Sequence, residues 1–126
     1  MKILVVDDEI VSLKTLEISV QKFGYEVLSA SDGSTAWEIW KKEMPGIVIT
    51  DWSMPEMDGL ELCSLIRKNE GSEYTYIILI TGNDAKDEIV KGKDAGADDY
   101  IVKPFNKEAL KARIMVGERL LNSKKT

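Results

Sequence analysis

Five short apolar runs, separated by longer stretches of mixed composition, constrain the fold of this 126-residue chain more than any other feature. The runs are rich in β-branched residues, and they are continuous rather than alternating in polarity. They cover residues 3–6, 27–28 together with Ala30, 47–49, 77–80 and, in a shorter form, 100–102. Strands buried on both faces have this pattern, and they occur in parallel sheets that helices cover. The runs therefore predict a parallel sheet within one compact domain.

Helical periodicity fills the stretches that follow these runs. Apolar side chains recur there at intervals of three and four residues, which places them on one face of a helix. The sets with this spacing are Leu13, Leu16, Val20 and Phe23; Ala36, Trp37, Trp40 and Met44; Leu62, Leu65 and Ile66; and Leu110, Ile114, Gly117 and Leu121. Asn106 is a candidate N-cap for the last helix. The alternation of strand and helix, five times over, predicts a doubly wound α/β fold with helices on both faces of the sheet.

The fourth helical segment, residues 84–95, differs from the others. Its large apolar residues are Ile89 and Val90, and Gly92 lies inside it. A glycine in a helix interior costs about 1 kcal/mol relative to alanine. The pairing of Asp87 with Lys91 returns only a few tenths of a kcal/mol. We expect a weakly anchored helix, of the kind that moves when a protein switches between states.

The amino-acid composition excludes several classes of site. The chain has no histidine and a single cysteine, Cys63, which excludes a serine–histidine–aspartate triad, a histidine-ligated metal and an intramolecular disulfide within it. A metal site must then use oxygen ligands, which favours magnesium, manganese or calcium. The net charge of −5 argues against nucleic-acid binding by this segment. No apolar run is long enough to span a membrane, and the lack of disulfides fits a reducing, cytoplasmic location.

Polar side chains come after four of the five apolar runs. Asp7 and Asp8 follow the first run, Asp51 the third, Thr81 the fourth and Lys103 the fifth. Ligands of open parallel sheets bind beyond the carboxyl ends of the strands, so we expect these five groups to converge. Clustered carboxylates repel unless a cation such as magnesium neutralises them, and magnesium commonly bridges carboxylates to phosphate. In this group of side chains, the lysine can bind phosphate oxygens and one carboxylate can act as a nucleophile. The group therefore predicts formation of an aspartyl phosphate.

Four stretches of the chain resemble the receiver domain of bacterial response regulators, in order and at the spacing of that family. They are residues 3–9 (ILVVDDE), 49–59 (ITDWSMPEMDG), 80–82 (ITG) and 95–105 (AGADDYIVKPF). The resemblance implies a (βα)5 flavodoxin-like three-layer sandwich with parallel strands in the order 2-1-3-4-5. It also implies a phosphorylation-dependent switch of a two-component system, with no separate enzymatic activity in this chain.

The resemblance assigns the phosphoryl chemistry to five positions. Asp51 would accept the phosphoryl group from a histidine kinase and would also contact the metal. Asp8 would bind magnesium directly, with manganese as a substitute, and Asp7 would contribute through water. Ser53 would offer its backbone carbonyl to the metal, and Lys103 would contact the phosphoryl group.

The resemblance also assigns a switch. Thr81 would turn its hydroxyl toward the phosphoryl group, and Tyr100 would move inward as Thr81 moves. The face formed by the fourth helix, the fifth strand and the fifth helix would then change shape. Ser53 and Asn83 are expected to tune hydrolysis of the aspartyl phosphate, and the Lys103–Pro104 peptide bond is expected to be cis.

Several of these residues also have ordinary structural interpretations. Asp7 and Asp8 would serve as caps of the first helix. Thr81 would be a strand residue, and Tyr100 a fixed, half-buried aromatic. Trp52, beside Asp51, is more useful as a reporter of metal binding than as a ligand. The joint placement of the charged residues at strand ends favours the receiver interpretation.

Three other functions are weighed against a receiver. A phosphohydrolase of the haloacid-dehalogenase type needs an aspartate two residues after the nucleophile, where this chain has Ser53. A flavin or nucleotide binder would carry a glycine-rich phosphate loop, and neither common form of that motif occurs here. A receiver that has lost phosphorylation and serves as an interaction module is disfavoured by the complete acidic set.

Residues 1–121 form the predicted receiver domain, and residues 122–126 are expected to be a polar tail or the start of a linker to an output domain. The last helix resembles those that continue into a second domain, often a diguanylate cyclase or a phosphatase. A free-standing receiver that acts on a partner protein stays open, as does a homodimer through the face that includes the fifth helix. A histidine kinase is the expected upstream partner, and kinases meet receivers at the first helix.

Overall fold

The computed structural model describes residues 1–82 and 86–124 of the chain. Its five strands are β1 (Lys2–Val6), β2 (Glu26–Ala30), β3 (Ile47–Asp51), β4 (Tyr76–Thr81) and β5 (Asp99–Val102). All neighbouring strands pair in parallel, and the order across the sheet is β2-β1-β3-β4-β5. The predicted doubly wound sheet and its strand order are confirmed.

Five helices cover the two faces of the sheet. They are α1 (Ile10–Lys22), α2 (Gly33–Glu43), α3 (Gly59–Asn69), α4 (Lys86–Asp94) and α5 (Lys107–Lys124). Ile49 of β3 packs in one apolar cluster with Leu16 of α1 and Ile114 of α5. Its neighbour Val48 packs in a second cluster with Trp40 of α2. Each aliphatic side chain buried in this way stabilises the fold by about 1.5–3 kcal/mol, so both faces of the central strands contribute to a three-layer core.

The two edge strands depart from the expectation that all five runs are buried on both faces. In β2, Glu26 and Ser29 are exposed, while Val27 and Leu28 are only half-buried. In β5, Ile101 is the one fully buried residue of the four. An edge strand has a neighbour on one side only, so helices cover it less completely than they cover the central strands. The expectation is therefore correct for β1, β3 and β4 and wrong at the edges.

Helix ends also differ in part from the apolar pattern. Helix α2 ends at Glu43, and Met44 adopts a left-handed conformation with φ 48° and is 43 % exposed, so its predicted place on the buried face is wrong. The predicted cap of α5 is present, because the Asn106 side chain accepts a hydrogen bond from the Ala109 N–H at 2.7 Å. The same helix continues to Lys124, beyond the predicted domain boundary. None of the helices in the described ranges is long and apolar enough to cross a membrane.

A polar network centred on Arg67 lies at the amino ends of β4 and β5. The guanidinium pairs with Asp98 at 2.7 Å and with Glu70 at 2.9 Å. It also donates to the carbonyl oxygens of Thr75 at 2.7 Å and Gly96 at 2.8 Å. These bonds join the end of α3 to the start of β4 and to the loop between α4 and β5. The side chains of Arg67, Glu70 and Asp98 are each less than one-fifth exposed.

Candidate functional site

The carboxyl ends of the central strands bring the predicted charged residues together. Asp7 follows β1, Asp51 ends β3, and Lys103 follows β5. The Lys103 ammonium lies 3.5 Å from Asp51 Oδ2 and 3.7 Å from Asp7 Oδ2. Because neighbouring strands are parallel, their carboxyl ends lie along the same edge of the sheet. The convergence expected from the sequence is therefore present.

Asp7 and its neighbours form an acidic cluster that fits a divalent cation. Asp7 is completely buried, and its Oδ1 accepts a hydrogen bond from the Glu9 N–H at 2.9 Å. Its Oδ2 accepts no hydrogen bond from any residue that the structure describes. One oxygen from each of Asp7, Asp8 and Asp51 lies within 4.8 Å of the other two. A buried oxygen without a partner is costly, and a cation with oxygen ligands such as magnesium would supply that partner.

The Asp51 carboxyl is subject to opposing electrostatic effects. Burial raises its pKa above the usual range, the Lys103 ammonium lowers the pKa, and the charge of Asp7 raises it again. The net shift is upward, although the Asp51 side chain keeps 14 % of its surface exposed. A cation beside the cluster would lower this pKa. It would thereby favour the ionised form of Asp51, which is the form that acts as a nucleophile.

The backbone around Asp51 is held from two sides. The Trp52 N–H donates to the Ile80 carbonyl at 2.8 Å, and the Gly59 N–H donates to the Trp52 carbonyl at 2.9 Å. A Cβ atom at Gly59 would collide with the carbonyl oxygen of Asp51. Glycine therefore allows the first turn of α3 to lie against the end of β3. The sequence carries one local signal for this contact, a glycine directly after Asp58, which caps α3.

Thr81 and Tyr100, the residues predicted to form the switch, line one small cavity between β4, β5 and α4. Thr81 is 3 % exposed, and Tyr100 is half-buried. The cavity has a volume of about 10 Å³, and Trp52, Leu79 and Gly92 also line it. A volume of this size holds about one water molecule. The two residues thus share a space in which a small side-chain movement can be accommodated.

The remaining predicted residues are Ser53, Asn83 and Pro104. The Ser53 side chain is exposed, and Asn83 lies outside the described residues. The Lys103–Pro104 peptide bond is cis. A cleft of about 600 Å³ opens beside Lys103, and Val11 of α1 and Phe105 line it together with Asp7.

Comparison with known proteins places these features in one family. A sequence profile described as the response regulator receiver domain matches residues 3–115. A probable transcriptional regulator, ycf27, of Porphyridium aerugineum is 45 % identical over 113 residues, which are 90 % of this chain and 46 % of that protein. The chain therefore spans about half the length of the first curated relatives that it matches. A chemotaxis protein CheY homolog of Campylobacter jejuni is 39 % identical over 116 residues, with 90 % of this chain and 89 % of that protein covered.

Solved structures agree with this placement. The chemotaxis protein CheY4 of Vibrio cholerae superposes with a TM-score of 0.86 at 33 % identity, covering 91 % of this chain and 96 % of that one. A response regulator receiver domain protein of Clostridium thermocellum superposes with a TM-score of 0.87 at 30 % identity, covering 98 % and 96 %. The profile, the curated relatives and the superpositions agree, and the chain belongs to the response regulator receiver domain family, a family of signalling domains.

Proposed function

We propose that this chain is a phosphorylation-dependent switch in which Asp51 accepts a phosphoryl group from a histidine kinase. The observation that carries the proposal is the pairing of Asp51 with Lys103 inside an acidic cluster, where the buried Oδ2 of Asp7 accepts no hydrogen bond from the described residues. The cluster has too little positive charge of its own, because three carboxylates face one ammonium group. Such a site suits a ligand that brings a cation and a phosphoryl group together.

The transfer step uses groups that the strands already position. An oxygen of the Asp51 carboxylate attacks the phosphorus atom of a phosphohistidine on the kinase. The O–P bond forms as the P–N bond breaks, and the leaving nitrogen keeps the bonding electrons and takes a proton from solvent. The Lys103 ammonium, 3.5 Å from Asp51 Oδ2, pairs with a phosphoryl oxygen as the new bond forms. Positioning and charge neutralisation account for most of the catalysis.

Asp7, Asp8 and Asp51 would hold magnesium, with the backbone carbonyl of Ser53 as a further ligand; manganese is the substitute with the same preference for oxygen. When bound, the ion supplies neutralising charge to the phosphoryl oxygens and the carboxylates. Asp7 is suited to a role through water, because its Oδ2 is buried and already near Lys103. Ser53 and Asn83 would tune hydrolysis of the aspartyl phosphate.

The signal would leave the site through Thr81 and Tyr100. Thr81 turns toward the phosphoryl group, Tyr100 fills the space that Thr81 vacates, and the face of α4, β5 and α5 changes shape. Phosphorylation thereby biases an equilibrium between two conformations. The output is an attached domain or a separate partner protein. A transcriptional regulator and a CheY homolog among the relatives, and a structural neighbour described as a response regulator/GGDEF domain protein, support both arrangements. The proposed setting is the cytoplasm.

The test is the intact mass of the protein after incubation with acetyl phosphate and magnesium. The wild type should gain one phosphoryl group, Asp51→Asn should gain none, and a chelator should abolish the gain. Asp58→Asn is the matched control, because Asp58 is a nearby carboxylate that only caps α3 and asparagine caps a helix equally well. This variant should gain the phosphoryl group as the wild type does.

Two results would contradict the proposal. A gain in Asp51→Asn equal to that of the wild type would place the phosphoryl group elsewhere. The absence of any gain in the wild type, combined with no binding of beryllofluoride in the presence of magnesium, would favour an interaction module that works without phosphorylation.

A further inference from the structure

The glycine inside α4 lies against Leu79 of β4 and the indole of Trp52, the residue that follows Asp51. A Cβ atom built at Gly92 would lie 2.9 Å from Leu79 Cδ1 and 3.1 Å from Cζ3 of the Trp52 indole. Any larger residue would push the helix away from the indole. Glycine at a helix position costs about 1 kcal/mol relative to alanine, so close backbone approach is the physical reason for a glycine here.

Trp52 joins this contact to the phosphoacceptor. It directly follows Asp51, and its backbone is fixed on one side by β4 and on the other by the first turn of α3. Its indole then reaches across the small cavity to α4, while Thr81 and Tyr100 line the same cavity from β4 and β5. With the backbone held on both sides, the side chain is the part of Trp52 that is left to respond to a change at Asp51.

The far end of α4 is anchored independently of this contact. The Arg67 guanidinium donates to the Gly96 carbonyl at 2.8 Å, and the Ala97 N–H donates to the Gly92 carbonyl at 3.0 Å. The Lys93 ammonium donates to the Asp98 carbonyl at 2.6 Å. The helix is therefore tied down from Gly92 onward. Ile89, in its first half, borders the cavity.

We infer that Trp52 is a positioning residue that transmits the state of Asp51 to α4 through the contact of its indole with Gly92. The inference rests on the proposed function, since it names a route by which phosphorylation of Asp51 reaches α4. It adds a second route to the one through Thr81 and Tyr100, and this second route ends on α4 rather than on β5. Removing the indole should weaken the response of α4, while β5 still responds.

The experiment is hydrogen–deuterium exchange of the full chain with and without beryllofluoride and magnesium, read separately for peptides from α4 and from β5. In the wild type, both peptides should change their exchange rates. In Trp52→Leu, which cannot reach Gly92, the change in α4 should fall at least about twofold, whereas the change in β5 and the gain of mass with acetyl phosphate should persist. Gly92→Ala should reproduce the loss in α4 without any change beside Asp51, because the helix is pushed off an intact indole.

Two matched controls separate coupling from general damage. Trp37→Leu removes another half-buried indole, one that stacks on Trp40 away from the site. Gly71→Ala adds a methyl group where no atom lies within 4 Å. Both variants should keep the full response in α4 and β5.

Three outcomes would overturn the inference, and a fourth would overturn the proposed function on which it rests. An unchanged response of α4 in Trp52→Leu and in Gly92→Ala overturns the inference, and so does a joint loss in α4 and β5, which would mean that Trp52 only supports the fold. A wild type that takes up a phosphoryl group without any response in α4 overturns it as well. A wild type that takes up neither the phosphoryl group nor beryllofluoride removes the proposed function itself.

Discussion

Both ends of the sheet bring carboxylates close together, but the two ends differ in how well those carboxylates are paired with positive charge. At the amino end, the carboxylates of Glu70 and Asp98 are neutralised by Arg67 within the chain, at distances of 2.7–2.9 Å. At the carboxyl end, three carboxylates face the Lys103 ammonium, whose contacts with Asp7 and Asp51 are 3.5–3.7 Å long. The first end is closed by hydrogen bonds, and the second leaves a buried oxygen of Asp7 without a donor among the residues described.

The polar groups at the amino end of the sheet are suited to stabilising the fold, whereas those at the carboxyl end form the candidate site. Arg67 is always charged and its planar guanidinium holds several acceptors at once, so the amino end needs nothing from outside. Lys103 is a single point charge that is 35 % exposed, and it leaves the acidic cluster short of positive charge. The incomplete end is therefore where we propose that a cation and a phosphoryl group bind, and the complete end is where stability is expected to depend on each partner.

The largest effect is expected when Arg67 is removed from the polar network at the amino end of the sheet. Arg67→Met leaves the carboxylates of Glu70 and Asp98 in a largely buried position without their cation. The free energy of unfolding should fall by about 3 kcal/mol, the usual loss when one partner of a buried ion pair is removed. Urea denaturation followed by circular dichroism measures this loss. Lys68→Met, at the exposed neighbouring position, is the control and should change little; equal effects of the two variants would show that the network does not stabilise the fold.

The next largest effect is expected when magnesium binds to the acidic cluster at the carboxyl end of the sheet. Magnesium should stabilise the wild type against urea by about 2.7 kcal/mol at a concentration one hundred times its dissociation constant. The gain should be lost in Asp8→Asn, which removes a ligand, and retained in Asp58→Asn, which leaves the cluster intact. Equal stabilisation of the wild type and Asp8→Asn would mean that the ion binds elsewhere.

A smaller effect is expected when the buried charge of Asp51 is removed without metal. The folded protein raises the pKa of Asp51, so folding favours the neutral carboxyl, and this contribution is present at low pH and lost as the pH rises through the folded-state pKa. Asp51→Asn should therefore be more stable than the wild type at neutral pH, by an amount on the order of 1 kcal/mol. The difference should vanish as the pH falls below the ordinary carboxyl value of 3.8. Denaturation in a metal-free buffer across this range tests the sign, and a difference that grows toward acid pH would contradict it.

The smallest effect concerns the one ammonium group that faces the cluster. Lys103 lowers the pKa of Asp51, so Lys103→Met should raise that pKa further above its usual range. Solvent screens the half-exposed lysine, which keeps the shift small. The carboxyl carbon resonance of Asp51, followed against pH without metal, measures the shift. Lys107→Met, at an exposed position at the start of α5, is the control; a downward shift in Lys103→Met would contradict the arrangement.

Much of the fold was predictable because the central strands have an unmistakable pattern. The continuous β-branched runs of β1, β3 and β4 predicted a parallel sheet, and the charged residues after them predicted where the site lies. Predictions failed where neighbours decide the outcome. Met44 continues the helical spacing of α2 yet lies beyond its end, and the half-exposed Val27 and Leu28 of β2 have the composition of a fully buried run. The local sequence pattern does not indicate which strand lies at an edge of the sheet or at which residue a helix ends.

The sequence by itself determined the kind of fold, the strand ends that carry charge and the requirement for oxygen ligands, because periodicity and residue chemistry are local properties. Only the tertiary structure decided that Asp7 would be buried with one oxygen that accepts no hydrogen bond from the described residues, that Arg67 would complete the opposite end, and that Gly92 would admit the indole of Trp52. These features depend on distances between residues that are far apart in the chain. The glycine that local reasoning interpreted as a weak point of α4 is, in the packed molecule, the place where α4 contacts the indole of Trp52, the residue that follows Asp51.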